Sequence, residues 1–284
     1  MPQTINTNII SLDAQRNLNN SQSSLAVSMQ RLSSGLRVNS AKDDAAGLAI
    51  ATRMDSQVRG MNVAVRNAND GISLAQTAES ALGAVTNALQ RMRELAVQAS
   101  NSTNSGTDKD SLSQEFQQLG DEIQRVLGGT TFNGAAILGA SAGALTFQIG
   151  ANTTVNDTLT VTTVNMAANV SITAVTSGGA NAKIDSTVNL AGMQSVITAL
   201  DGAIDTVNAQ RATFGATQSR FESIITNLQS ASQNQAAARS RIMDADFAAE
   251  TANLSRAQVL QQAGNAMVAQ ANQLPQQVLS LLKN

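Results

Sequence analysis

Catalysis needs nucleophiles, bases or metal ligands, and this chain is short of all three. Its 284 residues contain neither histidine nor cysteine. That removes Ser–His and Cys–His nucleophile pairs, histidine-containing zinc sites, thiol chemistry and any disulfide scaffold. Carboxylates, lysines and hydroxyls remain. One charged cluster, Lys42, Asp43 and Asp44, closes the stretch RLSSGLRVNSAKDDAAG from Arg31 to Gly47. Two carboxylates beside a lysine become an acid–base set only in a cleft that shifts their pKa values. In a polar connector punctuated by glycine they read as a charged cluster making ion pairs between molecules. The Ser and Thr hydroxyls of about 150–180 are acceptors for O-linked sugars. We therefore expect no enzyme, no cofactor and no metal.

The elements that would carry these residues are long rods. No proline occurs between Pro2 and Pro275, so nothing in that span breaks a helix by removing a donor and clashing with the preceding turn. Apolar residues recur at sevens in both halves: Met54, Met61, Ala68, Ala75, Leu82, Leu89 and Ala96, then Met193, Leu200, Val207, Phe214, Phe221 and Leu228. A seven-residue repeat lines one side of a helix, where another helix must cover it. Val58, Val65 and Ile72 supply a second position in the first series, and Ile197, Ile204 and Ile225 in the second. Arg211 and Gln218 occupy that position elsewhere, either fixing register or snorkelling at a partly exposed seam. Helices are expected at about 48–100, 107–127 and 191–230. Thr107 with Asp110 resembles a capping box for the second of these, which carries Leu112, Phe116, Leu119, Ile123 and Val126. Between about 140 and 190 the rhythm becomes alternation: Leu145, Phe147, Ile149, then Leu159, Val161, then Val170, Ile172. Two or three β-hairpins are expected there. Aromatic residues are 2% of the chain, so the core should be thin and drawn out. The fold class is mainly α: long antiparallel helices forming an elongated coiled-coil bundle, with a small β-hairpin region in the middle of the chain.

Both ends carry further stripes. At the start they are Ile5, Ile9 and Leu12, then Leu18, Leu25 and Leu32; at the end Leu260, Met267, Leu274 and Leu281, with Val278 four after Leu274. Pro275 should kink the last helix. Asn, Ser and Gln fill much of the first 40 residues. Their few apolar side chains return less than ordering the chain costs, so both termini are expected to order by packing in an assembly. Eighteen basic residues are scattered among 20 acidic ones, a net charge of −2, which gives nucleic acid or an anionic membrane nothing to hold. No apolar run approaches the ~20 residues of a membrane span. The opening MPQTINTNIISLDAQRNLNN lacks a basic n-region and an apolar core, so it is not an ordinary secretory signal. These features fit a self-assembling structural protein, or a coiled-coil adaptor that does not polymerise.

Four segments decide between those readings. RLSSGLRVNSAKDDAAG, NANDGISLAQTAE (Asn67 to Glu79), LQRMRELAVQASNSTNS (Leu89 to Ser105) and the closing ARSRIMDADFAAETANLSRAQVLQQAGNAMVAQANQLPQQVLSLL resemble the bacterial flagellin family over roughly 1–135 and 190–284. The resemblance implies a flagellar filament subunit that polymerises for swimming motility, after export as an unfolded chain through the flagellar type III apparatus, and so a secreted, extracellular location. It implies that 1–40 and 242–284 form an inner coiled-coil core domain and 41–241 an outer rod domain, with no large additional outer domains. The terminal stripes named above become self-assembly residues. Implied partners are other copies of the chain, an export chaperone at the C-terminal segment, and cap and hook-junction proteins. The vertebrate Toll-like flagellin receptor is a further implied partner, through Arg91, Leu95 and Glu115. A hook–filament junction protein shares the helical termini and is the alternative. The chain has no His-Glu-x-x-His insert of the kind found in protease-bearing variants.

Overall fold

The structure, a computed structural model, describes residues 7–176 and 178–282, with side chains as far as Leu274. In chain order the elements are α1 (Ile9–Ser34), α2 (Ala45–Ala99), α3 (Gly106–Gly129), β1 (Thr131–Phe132), β2 (Ala135–Ala136), β3 (Ala144–Gln148), β4 (Thr158–Thr162), α4 (Val170–Thr173), α5 (Leu190–Met243) and α6 (Phe247–Leu282). The expected fold class is borne out: long helices and two small antiparallel hairpins. The chain forms two compact units, 1–56 with 234–284, and 57–233.

In the terminal unit α1 pairs with α6. The Asn8 side chain caps α1 by accepting from the Ser11 amide, and Gly35, at φ +71°, ends it by donating to the Arg31 carbonyl. Only glycine takes that left-handed conformation without steric cost. Residues of α1 that are at least half-buried recur at three and four: Ser11, Ala14, Leu18, Ser21, Leu25, Ser28 and Leu32. On α6 the matching column is Leu254, Ala257, Gln261, Gly264, Val268 and Ala271. A β-carbon on Gly264 would stand 3.2 Å from Leu18 Cδ1, so a leucine knob of one helix fills a hole that glycine leaves in the other. The Asn8 amide donates to the Ala271 carbonyl at 2.7 Å, and the Ser11 hydroxyl bonds Asn272 Oδ1 at 2.7 Å. One face of α1 is thus covered by α6 of the same chain. The helix α6 is continuous through Pro275.

Where the chain leaves α1 and α5, Leu36 and Asp244 form an antiparallel bridge. The Arg37 amide donates to the Met243 carbonyl, the Ala245 amide to Gly35, and the Arg37 guanidinium to Ile242. Arg239 reaches Asp55 at 2.8 Å.

In the middle unit, residues 57–99 of α2, the helix α3 and residues 190–233 of α5 share one core with the hairpins. Met61, Ala68, Ala75, Leu82, Leu89 and Ala96 are buried, as are Met193, Leu200, Val207, Phe214 and Phe221. The second column lies three residues after the first, not four. It is Ala64, Gly71, Ala78, Val85, Met92 and Ala99 in α2, and Val196 and Ala203 in α5. Val58, Val65, Ile72, Ile197, Ile204 and Ile225 are half-buried flanks. Mostly small residues hold the centre, where backbones approach, and β-branched ones fill the sides. The helix α5 runs past the expected 230 to Met243, because the three-four rhythm continues through Leu228, Ala231, Gln235, Ala238 and Ile242 in half-buried positions.

The capping box of α3 is Ser105 with Asp108, not Thr107 with Asp110. Asp110 instead accepts from the Ser186 amide at 2.9 Å, tying the loop before α5 to α3. β1 and β2 are joined by Asn133 and Gly134 at φ 49° and 80°, the signature of a tight hairpin turn. β3 and β4 pair Leu145 with Val161 and Phe147 with Leu159, as alternation predicts. Val170 and Ile172 are not a strand. Asn169 caps them into the single turn α4, which buries Ile172 in the core.

Candidate assembly surface

The charged cluster is used locally. Asp43 accepts from the Ser40 amide at 2.8 Å, the Ser40 hydroxyl at 3.0 Å and the Asn39 amide at 3.2 Å. The Ser40 bonds hold its carboxyl below the ordinary 3.8. Asp44 accepts from the Gly47 amide at 2.8 Å at the start of α2. Both carboxylates therefore shape the turn into α2, and Lys42 is exposed. Among the described residues no cluster of carboxylates could hold a metal ion, and no helix is long and apolar enough to cross a membrane.

The terminal stripes divide by face. Leu18, Leu25 and Leu32 face α6. Ile9 and Leu12 are exposed, together with Ile10, Val27 and Met29. On α6, Leu260, Met267 and Leu274 are exposed, as are Phe247 and Val259. The series 260, 267 stands one residue before the seam at 261, 268, which rotates it about 100° away from α1. Gly264 and Ala271, four after Leu260 and Met267, are in the seam. Ile5 lies outside the described residues, as do the side chains of Val278 and Leu281. The pair thus spends its small and leucine residues on its own contact and leaves a second set of large apolar side chains uncovered on each helix. On α6 that set is a stripe, Leu260, Met267 and Leu274 at sevens, and an uncovered apolar stripe marks a site of association.

Arg91 and Glu115 meet across α2 and α3, Nε to Oε1 at 2.9 Å, and Arg91 also reaches Glu94 at 3.0 Å. Hydrogen bonding to Glu115, then to Glu94, raises the arginine pKa. Both side chains are close to half-exposed. Leu95 has 0% exposure and belongs to the core, so it supports that surface from beneath. Two polar contacts escaped the sequence reading. Arg93 binds Asp201 at 2.7 Å between α2 and α5. Glu79 accepts from Gln218 at 2.8 Å and lies 3.9 Å from Arg211, so the two polar seam residues converge on one carboxylate. Position in the seam was visible in sequence; the partner on the other helix depended on register.

The sequence matches the model of the bacterial flagellin N-terminal helical region over residues 5–142 and that of the bacterial flagellin C-terminal helical region over 197–282. It is 44% identical over 279 residues to a flagellin of Halalkalibacterium halodurans, covering 98% of this chain and 99% of that one. Flagellin B of Vibrio cholerae is 36% identical over 375 aligned residues, 99% of this chain and 100% of the relative. The crystal structure of Bacillus cereus flagellin shares 36% identity, covers 61% of this chain and 94% of its own, and superposes with a TM-score of 0.47. With both terminal regions matched over more than half its length, and a relative aligned almost end to end, the chain belongs to the bacterial flagellin family.

Proposed function

We infer that this chain is a structural subunit of the bacterial flagellar filament, whose activity is growth by addition of copies to an end. The observation that carries this is the apolar stripe of α6 that the α1–α6 seam leaves uncovered, Leu260, Met267 and Leu274 at sevens, with Ile9, Ile10, Leu12 and Met29 also exposed on α1. Burying such side chains contributes ~1.5–3 kcal/mol each, and only a surface outside this pair can supply that. A helix pair from a second copy has the matching period.

The finer assignments belong to the same reading. Residues 1–40 and 242–284 form the inner coiled-coil tube, and 41–241 the outer rod. Export runs through the type III apparatus as an unfolded chain, placing the product outside the cell. A chaperone takes the C-terminal segment, and cap and hook-junction proteins meet the subunit at the filament ends. The Arg91–Glu115 pair is a contact for the Toll-like flagellin receptor. Heating to monomer and then adding sheared filament fragments tests the central point: elongation of the fragments supports a filament subunit, and a monomer that never adds to them removes it.

A further inference from the structure

Methionine is the side chain here most open to mild oxidation, because cysteine, tryptophan, tyrosine and histidine are absent. Thioethers are oxidised according to exposure. In the middle unit Met61, Met92, Met166 and Met193 are at most 9% exposed. Met54 and Met243 are half-buried. Met29 on α1 and Met267 on α6 are 57% and 61% exposed; Met267 stands in the uncovered stripe with Leu260 and Leu274, and Met29 stands at the edge of the seam, one turn from Leu25 and Leu32. Among the described residues these are the two most exposed methionines, and both line or border the uncovered surface of the α1–α6 pair.

We propose that Met29 and Met267 form a modification site: a peroxide converts them to sulfoxides in the free subunit and thereby blocks addition to the filament. This rests on the assembly role given above. The thioether sulfur attacks one peroxide oxygen, the O–O bond breaks, the sulfur gains that oxygen, and the peroxide is reduced by two electrons to water. A flexible apolar side chain becomes a polar one. Packing it between helices leaves the new S–O dipole buried without a donor, at a cost that corresponds to about tenfold or more in affinity. Packing in the filament would also shield the same sulfurs, so the free subunit is the sensitive form.

Hydrogen peroxide is applied to wild-type monomer and to a Met29→Leu, Met267→Leu variant, with sulfoxide mapped peptide by peptide and seeded elongation followed by light scattering. Met29 and Met267 are expected to oxidise first, with elongation falling about tenfold. The double variant is compared only with its own untreated rate, which peroxide should leave unchanged. Treated wild type that carries both sulfoxides and elongates like untreated protein overturns the proposal. So does oxidation of Met92 as fast as Met29 and Met267. Untreated wild type that fails to elongate seeds would instead refute the assembly role, and the order of oxidation would still decide the modification site.

Discussion

The ring of Phe221 occupies the space where a β-carbon on residue 71 would stand. A methyl built on Gly71 would overlap the Phe221 ring at Cζ. Phe221 has no exposed surface and makes an edge-on contact with Phe147, centroids 5.5 Å apart, so the ring has no room to swing aside. Gly71 therefore sets how closely α2 and α5 approach. Gly71→Ala gains roughly 1 kcal/mol of helix propensity but meets an overpacking cost of ~1–3 kcal/mol. We expect a net fall in thermal midpoint. Gly83, with nothing within 4 Å of its virtual β-carbon, is the control: Gly83→Ala should raise the midpoint. A Gly71→Ala variant as stable as Gly83→Ala would show that the ring yields.

In α5 the column of Val196 and Ala203 continues into Gln210, whose Nε2 is buried without a hydrogen-bond partner, as is Nε of the adjacent Arg211. An unmet buried donor costs ~1–3 kcal/mol. Gln210→Leu should raise stability to denaturant by about 1 kcal/mol, measured by urea unfolding with unchanged m-value. A fall would mean that the amide carries a bond worth keeping.

Several turns rest on carboxylates held ionised. Asp110 lies below its ordinary 3.8 because the Ser186 amide, then its hydroxyl, donates to it; Asp108 is lowered by the Ser105 hydroxyl, then its amide; Asp157 by the Thr154 hydroxyl. A folded pKa below the unfolded one contributes stability that is present above 3.8 and lost as pH falls through the folded value. Thermal midpoints should accordingly drop on acidification below pH 3.8. Asp110→Asn, which accepts without titrating, should lower the plateau and flatten part of the slope. An unchanged slope would show that the Ser186 contact contributes nothing measurable.

The Arg91–Glu115 pair separates a receptor role from a structural one. Both groups are solvated, so Arg91→Ala should leave the thermal midpoint unchanged. If the pair is a receptor contact, signalling by that variant falls while its folding and filament growth persist. Equal signalling would confine the pair to packing α3 against α2.

Much of this fold was legible in the seven-residue series, because burial on a straight helix is a matter of period. Every residue from Met61 to Ala96 in the first series is buried. The second column was misplaced because hydrophobicity favours Val65 and Ile72, whereas close helix approach favours Ala64 and Gly71. In the α1–α6 seam Leu18, Leu25 and Leu32 followed from their spacing, while the same preference for bulk hid Ser11 and Ser28 and favoured Leu12, which is exposed. Val170 and Ile172 alternate as a strand would, but Asn169 supplies a cap that a hydropathy pattern does not weigh. Thr107 with Asp110 had the spacing of a capping box, but Ser105 with Asp108, two residues earlier, took the role, just after the turn in which the Asn104 amide donates to the Asn101 carbonyl.

Seeded elongation by a Leu260→Gln, Met267→Gln variant tests most directly whether the uncovered face of α6 builds the polymer. These substitutions leave the Leu254–Ala271 column intact, so circular dichroism of the monomer should match wild type. Elongation from wild-type seeds should fall at least about tenfold, the cost of packing unpaired amides between helices. A variant with the same monomer spectrum and the wild-type growth rate would contradict the account, because that face would then be solvent-facing in the filament as well.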